Sequence, residues 1–243
     1  MKPVKTVCHR GASKVAPENT FAAAQAALAL GGDIIEFDVR QSADGVLYVM
    51  HDKLIDRTTD AFGPIAELTA LEVDALDAGI SFDLEFAGEE VPRLDHFLSA
   101  FRHRAGFYVE IKHADCEAVV EVLKRTGTMA QSFTFSFDSK MRDGMHRAAP
   151  EMRKMVNWSV TDDPAVAQND HYASIYETQI SALSQDLVDR THDLGMEIMV
   201  YYEGKDPADF RKMIEFGIDY VNLDALELFL SIQREILDGE AAI

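Results

Sequence analysis

The chain has 243 residues, 47% of them hydrophobic and 27% charged, enough apolar material for one sizeable core. Acidic side chains number 42 against 23 basic ones, and the formal net charge of −19 argues against nucleic acid and against stable association with an anionic membrane surface. No segment approaches the ~18 uninterrupted apolar residues of a membrane span, and "MKPVKTVCHRG" lacks the apolar core of a signal peptide. A cytoplasmic protein is expected, with Cys8 and Cys116 as free core thiols.

Short β-branched or aromatic runs alternate with longer helical patterns. The expected strands are Lys5 to Cys8, Asp33 to Val39, Phe107 to Ile111, Ser132 to Phe135, Arg153 to Asn157, Ala173 to Ile175, Glu197 to Val200 and Tyr220 to Asn222. Between them lie helical stretches such as "NTFAAAQAALAL", "DCEAVVEVLKRT" and "DPADFRKMIEFG", several opening on a capping Asp, Asn or Ser and two closing on Gly. Eight strands, each followed by a helix, are the pattern of a (β/α)8 TIM barrel, an α/β fold, expected as a single catalytic domain over residues 1–243. One region breaks the alternation. After the second strand, an insertion at about residues 45–94 opens with a short strand "VLYVM", reaches His51 and Asp52, and runs on too far for an ordinary loop of ~2–6 residues. A hairpin and a short helix near Leu68 to Leu76 are expected there.

In such a barrel the working residues gather where strands end. The exits offer His9 and Arg10; Glu36 and Asp38; Glu110 and Lys112; Phe137; Asn157 and Trp158; Tyr201 and Tyr202; and Asp224. In "IIEFDVR" the strand alternation puts Glu36 and Asp38 on one face and Ile35, Phe37 and Val39 on the other. Two carboxylates sharing a barrel mouth repel each other, and one divalent cation, Mg2+ or Ca2+, relieves that repulsion. In "YVEIKH", Glu110 is a candidate third ligand, and Lys112 on the same face would neutralise an anionic group of a substrate. Arg10 offers a planar fork for a phosphoryl oxygen. His9 and His51 are candidates for general base and acid, and Asp52 beside His51 would orient its ring and favour its protonated form. Together these parts suit cleavage of a small-molecule phosphodiester. Glu18 and Asn19 are expected to open the first helix and to brace the loop carrying Arg10.

The same residues carry a family resemblance. "HRG" at His9 to Gly11, "PENT" at Pro17 to Thr20, "EFDV" at Glu36 to Val39, "HD" at His51 and Asp52, "DRTTD", "VPRL", "VEIK" at Val109 to Lys112, "FSFD" and "GIDYVNLDA" follow one another along nearly the whole chain. The sequence resembles the glycerophosphodiester phosphodiesterase family. That resemblance implies a metal-dependent barrel that releases glycerol 3-phosphate and an alcohol. It implies His9 and His51 as acid/base pair, Glu36, Asp38 and Glu110 as metal ligands, Arg10 and Lys112 as phosphate holders, and Glu18 as a support near Arg10.

The sequence departs from the family pattern around the leaving-group pocket. "VYYEG" stands where the family often has tryptophan and threonine, and "LDALE" keeps Asp224 but lacks the usual proline. Phe137, Trp158, Tyr201 and Tyr202 could stack on a sugar ring or simply pack the rim. A sugar phosphodiester is therefore an alternative substrate; a lysophospholipid is a less favoured one, because no amphipathic or basic membrane-facing segment stands out. A metal-dependent isomerase or lyase fits the paired cations less well, and a non-catalytic phosphodiester-binding barrel is the alternative outside enzymes. The oligomeric state is not legible at this level.

Overall fold

The computed structural model describes residues 2–241. Its strands are β1 (Lys5–Cys8), β2 (Ile34–Gln41), β3 (Leu47–Val49), β4 (Gly106–His113), β5 (Ser132–Phe135), β6 (Arg153–Asn157), β7 (Ile175–Gln179), β8 (Glu197–Tyr202) and β9 (Tyr220–Leu223). Their order in the sheet is β1-β9-β8-β7-β6-β5-β4-β2-β3, with a further β1–β2 pairing that closes the ring. Eight strands thus form the closed parallel barrel, and β3 adds to it antiparallel, Val39 of β2 lying opposite Val49. The helices are α1 (Phe21–Ala29), α2 (Ala70–Val73), α3 (Leu94–Phe101), α4 (Cys116–Thr126), α5 (Ser139–Ala148), α6 (Pro164–His171), α7 (Gln185–Asp193), α8 (Pro207–Phe216) and α9 (Leu226–Ala241). Among the described residues no helix is long and apolar enough to cross a membrane.

The chain forms two compact units. One comprises the chain up to Cys8, Leu30–Ile34 and the chain from Arg153 onward; the other comprises His9–Ala29 and Ile35–Met152.

In the second of these, strand alternation decides what faces where. Ile35, Phe37 and Val39 of β2 and Phe107, Val109 and Ile111 of β4 belong to one buried apolar cluster with the helix layer. On α3 the buried positions are Leu94, Phe97, Leu98 and Phe101, the i, i+3, i+4, i+7 stripe of a helix with one apolar face. The Phe37 ring meets Phe97 edge-on at 5.0 Å and Phe107 at 6.0 Å. The opposite faces of β2 and β4 are left to Glu36, Asp38, Arg40, Glu110 and Lys112. Asp115 and Asp138 cap α4 and α5 by accepting N–H groups of the first turn, as the sequence pattern expects.

The insertion has a small core of its own, built from Tyr48, Met50, Ile55, Ile65, Ala70, Val73, Ala78 and Val91. The Tyr48 hydroxyl donates to Asp74 Oδ1 at 2.7 Å, at the end of α2. The short helix expected near Leu68 to Leu76 is α2. At the start of the insertion β3 pairs antiparallel with β2; beyond it the stretch shows isolated bridges, Leu54–Pro64 and Asp77–Glu90, rather than paired strands.

In the other unit, β7 departs from expectation. The sixth parallel strand was expected at Ala173 to Ile175 and begins only at Ile175. Tyr172 closes α6 with a left-handed φ of 58°, and the Ala173 N–H bonds back to the Ala167 carbonyl at 3.0 Å, so residues 172–174 make the turn. The strand itself buries Glu177 and Thr178, which breaks the apolar run that marks a strand in sequence. This unit is latched at the chain start, where Gln233 of α9 accepts from the Val4 N–H at 2.7 Å and donates to its carbonyl at 3.2 Å.

Candidate active site

The loop after β1 turns through two successive left-handed residues, Arg10 at φ 56° and Gly11 at φ 79°. A Cβ at Gly11 would stand 2.7 Å from the Ala23 carbonyl carbon, so only glycine lets this loop lie on α1. The turn aims the Arg10 N–H at Glu36 Oε2, 2.7 Å away, and sets its guanidinium 3.1 Å from Glu18 Oε1 and 3.5 Å from Asp38 Oδ2. Burial lowers the affinity of Arg10 for its proton, but Asp38, Glu18 and Glu36 outweigh it and raise its pKa above the ordinary value. Asn19, also left-handed at φ 60°, donates through Nδ2 to Asp38 Oδ2 at 2.8 Å and accepts the Asp38 N–H through Oδ1 at 3.2 Å. Sequence reading expected a loop brace from Asn19; the side chain also orients Asp38.

Glu36, Asp38 and Glu110 are all buried, and each offers an oxygen within 4.8 Å of the others'. Burial first, then the charges of Asp38 and Glu110, push the Glu36 carboxyl well above its usual range, against the Arg10 N–H and guanidinium. The Glu110 carboxyl is raised too, by burial and Asp38, although Lys112 and His9 oppose the shift. Lys112 Nζ lies 3.2 Å from Asp38 Oδ1 and also contacts Glu110 Oε1. Burial lowers the Lys112 pKa, but Asp38 and Glu110, with hydrogen bonds to the ammonium, outweigh burial and raise it above its ordinary value. Three carboxylates against the charges of Arg10 and Lys112 leave one negative charge in excess. A divalent cation would turn that into one positive charge, which a phosphodiester monoanion would cancel. Three buried hard oxygens in mutual reach fit such a cation.

His51 follows β3, and its Nδ1 is 2.6 Å from Asp52 Oδ1. Its carbonyl accepts from Arg40 Nε at 2.7 Å. Asp52 orients the ring as expected, but the net effect on its charge is the reverse of that expected from Asp52 alone. Burial pulls the imidazole below its ordinary pKa, outweighing the upward pull of Asp38 and Asp52, and Lys112 and Arg10 push the same way as burial. His9 lies in the loop after β1, near enough to Glu110 to favour its charged form. Phe137, exposed after β5, packs edge-on against Phe135 at 4.8 Å, and Lys112 Nζ sits 5.6 Å above its ring.

Trp158, Tyr201 and Asp224 belong to the other unit. There Trp158 stacks on Tyr201 with ring centroids 6.1 Å apart and planes inclined by 29°. The Tyr201 hydroxyl donates to Glu203, and burial, Glu203, Asp224 and Glu177 together raise its pKa. Tyr202 is not a stacking candidate: its hydroxyl donates to Asp209 Oδ2 at 2.6 Å and its ring packs on Phe210.

Two participants escaped the sequence reading. Arg40 shares the face of Glu36 and Asp38 by the same alternation that found them. Arg57, within "DRTTD", bonds Glu18 and Asp52 at once.

This charge pattern on a parallel barrel, with a buried acidic cluster that could hold a metal ion, is in keeping with a barrel phosphodiesterase. The sequence matches the glycerophosphoryl diester phosphodiesterase family over residues 9–228. The chain belongs to that family and is an enzyme of it, a phosphoric diester hydrolase. Its fold superposes on a glycerophosphodiester phosphodiesterase from Agrobacterium tumefaciens with a TM-score of 0.91 and 44% identity, covering 94% of this chain and 100% of that one. A Bacillus subtilis glycerophosphodiester phosphodiesterase is 27% identical over 258 residues, 95% of this chain and 87% of its own. An Oleispira antarctica phosphodiesterase, solved with the product sn-glycerol-3-phosphate, has a TM-score of 0.85 and 25% identity, covering 94% of this chain and 96% of that one.

Proposed function

We propose that the protein hydrolyses a glycerophosphodiester to glycerol 3-phosphate and an alcohol, with one divalent cation, Mg2+ or Ca2+, and two histidines as base and acid. The observation that supports it best is the pairing of two cations with three buried carboxylates that share a mutual reach of 4.8 Å. The product bound to the Oleispira relative supports glycerol 3-phosphate as the half released.

In this reading Glu36, Asp38 and Glu110 hold the cation, which when bound draws charge from a phosphoryl oxygen. Arg10 and Lys112 neutralise the other non-bridging oxygens. His51 keeps its Nδ1 proton on Asp52, which leaves Nε2 to accept a proton. Its lowered pKa keeps it neutral and ready near pH 7. The proton comes from the attacking hydroxyl: that of a water, which gives glycerol 3-phosphate directly, or that of the substrate's glycerol, which gives a cyclic phosphate that a water must then open to glycerol 3-phosphate. As the new P–O bond forms and the bond to the alcohol breaks, His9 gives its proton to the departing oxygen. Phe137, beside Lys112, borders the phosphate.

The test is a product assay. The purified protein is given glycerophosphocholine, glycerophosphoethanolamine, a sugar phosphodiester and a lysophospholipid, each with Mg2+, with Ca2+ and with EDTA. Glycerol 3-phosphate from the glycerophosphodiesters, lost with EDTA and restored by cation, is expected. Turnover confined to the sugar diester or the lysophospholipid would move the substrate; no turnover of any by folded protein would leave a binding barrel instead.

A further inference from the structure

Arg57 lies outside every role assigned so far, yet it makes three charged hydrogen bonds to two carboxylates beside the site. Its Nε donates to Asp52 Oδ2 at 2.6 Å, and its two terminal nitrogens donate to both Glu18 oxygens at 2.8 and 2.7 Å. This is a bidentate fork plus a third bond from one planar group. Each partner is itself committed. Glu18 Oε1 also accepts from Arg10 at 3.1 Å, and Asp52 Oδ1 faces His51 Nδ1 at 2.6 Å. The five side chains form one unbroken chain, Arg10–Glu18–Arg57–Asp52–His51, from the loop after β1 to the end of β3. Glu18 and Asp52 are largely shielded from solvent while Arg57 is 49% exposed. It covers both carboxylates from outside.

We infer that Arg57 is a positioning residue for hydrolysis: by bridging Glu18 and Asp52 it sets the Arg10 guanidinium and the His51 imidazole as one unit. This rests on the roles of Arg10 and His51 proposed above. The physical reason is charge as well as geometry. Without Arg57, Glu18 would turn fully to Arg10, and Asp52 would lose the bond that fixes which oxygen meets His51. A single substitution at this exposed position would then disturb substrate binding through Arg10 and proton transfer through His51 together. A lysine could restore the charge but not three bonds in one plane.

Steady-state kinetics on glycerophosphocholine with Mg2+ test this, with His51→Ala as the control for the underlying reading. If His51→Ala keeps normal turnover, the proposed function fails whatever Arg57 does. If His51→Ala is inactive, Arg57→Met is expected to lower kcat/KM by ~10-fold to ~100-fold, through both kcat and KM, with an unchanged circular dichroism spectrum. Arg57→Lys should recover part of kcat. The double variant Arg57→Met with Asp52→Asn should be little worse than Arg57→Met alone, because both cut the same chain. A loss below about fivefold in Arg57→Met, or a double variant whose loss is the product of the two singles, overturns the inference. Should Arg57→Met fail to fold, Arg57→Lys with and without Asp52→Asn carries the same comparison.

Discussion

Lys112 Nζ lies 3.2 Å from Asp38 Oδ1 and also contacts Glu110, two of the three carboxylates that cluster in the buried site. The ammonium neutralises part of their repulsion, and burial with mutual charge still raises the Glu36 and Glu110 carboxyls. A ligand that binds the folded state at this point stabilises it by about 2.7 kcal/mol at 100 times its dissociation constant. Millimolar Mg2+ or Ca2+ is therefore expected to raise the melting temperature, and Glu36→Gln or Glu110→Gln to abolish the rise. A melting temperature indifferent to both cations, or a rise that survives both substitutions, would refute the ligand set.

The two histidines are expected to be indispensable in different ways. In the mechanism we propose, His51→Ala would remove a base held by Asp52, and His9→Ala would remove the group that protonates the departing oxygen. Each should lower kcat by ~100-fold to ~10,000-fold with the fold intact. A substrate whose leaving alcohol is a good leaving group, such as a nitrophenyl ester, should rescue His9→Ala more than His51→Ala. Equal rescue of both would reverse or dissolve the assignment.

The Asp52 carboxyl supplies a pH signature. Partial burial would raise its pKa, but hydrogen bonds from Arg57 and His51 hold it down at about 2, from an ordinary 3.8. A group depressed in the folded state stabilises it fully above the unfolded pKa, and that contribution is lost as pH falls toward the folded one. Wild-type protein should thus lose stability relative to Asp52→Asn between about pH 4 and pH 2. Urea unfolding at stepped pH measures this. A gap that does not change between pH 5 and pH 2 would mean Asp52 is not held by these bonds.

How much of this was legible in the sequence depends on whether contacts are local. Glu36, Asp38, Glu110 and Lys112 were found because a strand has period two, and their neighbours Ile35, Phe37 and Val39 are plainly apolar. β1, β5 and β6 begin and end where the residue pattern places them. β7 was misplaced because its interior holds Glu177 and Thr178, polar groups that the barrel buries. Arg57 was passed over because its partner Glu18 is 39 positions away, and no periodicity relates them. Nor could the pattern show that Lys112 and Arg10 rest on carboxylates, or that burial would outweigh Asp52 at His51. Those outcomes depend on distances that only folding sets.

Gly11 offers the sharpest test of how the first loop is built. It has φ +79°, and a Cβ there would meet the Ala23 carbonyl carbon, Cβ and oxygen at 2.7, 2.8 and 2.8 Å. Gly127, the cap of α4, has nearly the same backbone, φ +70°, but open space around it. Gly127→Ala should therefore cost only left-handed strain, ~1 kcal/mol, and leave kcat unchanged. Gly11→Ala adds a clash with backbone that cannot rotate away, so the loop must lift from α1. A cost of ~2–4 kcal/mol is expected, lowering the melting temperature by ~4–16 °C. Activity should fall further than stability, since the displaced segment carries the Arg10 N–H that bonds Glu36 at 2.7 Å. Mg2+ should also bind Gly11→Ala more weakly by calorimetry, through that same bond. If Gly11→Ala matches Gly127→Ala in melting temperature and turnover, the close packing of this loop is not what sets the site.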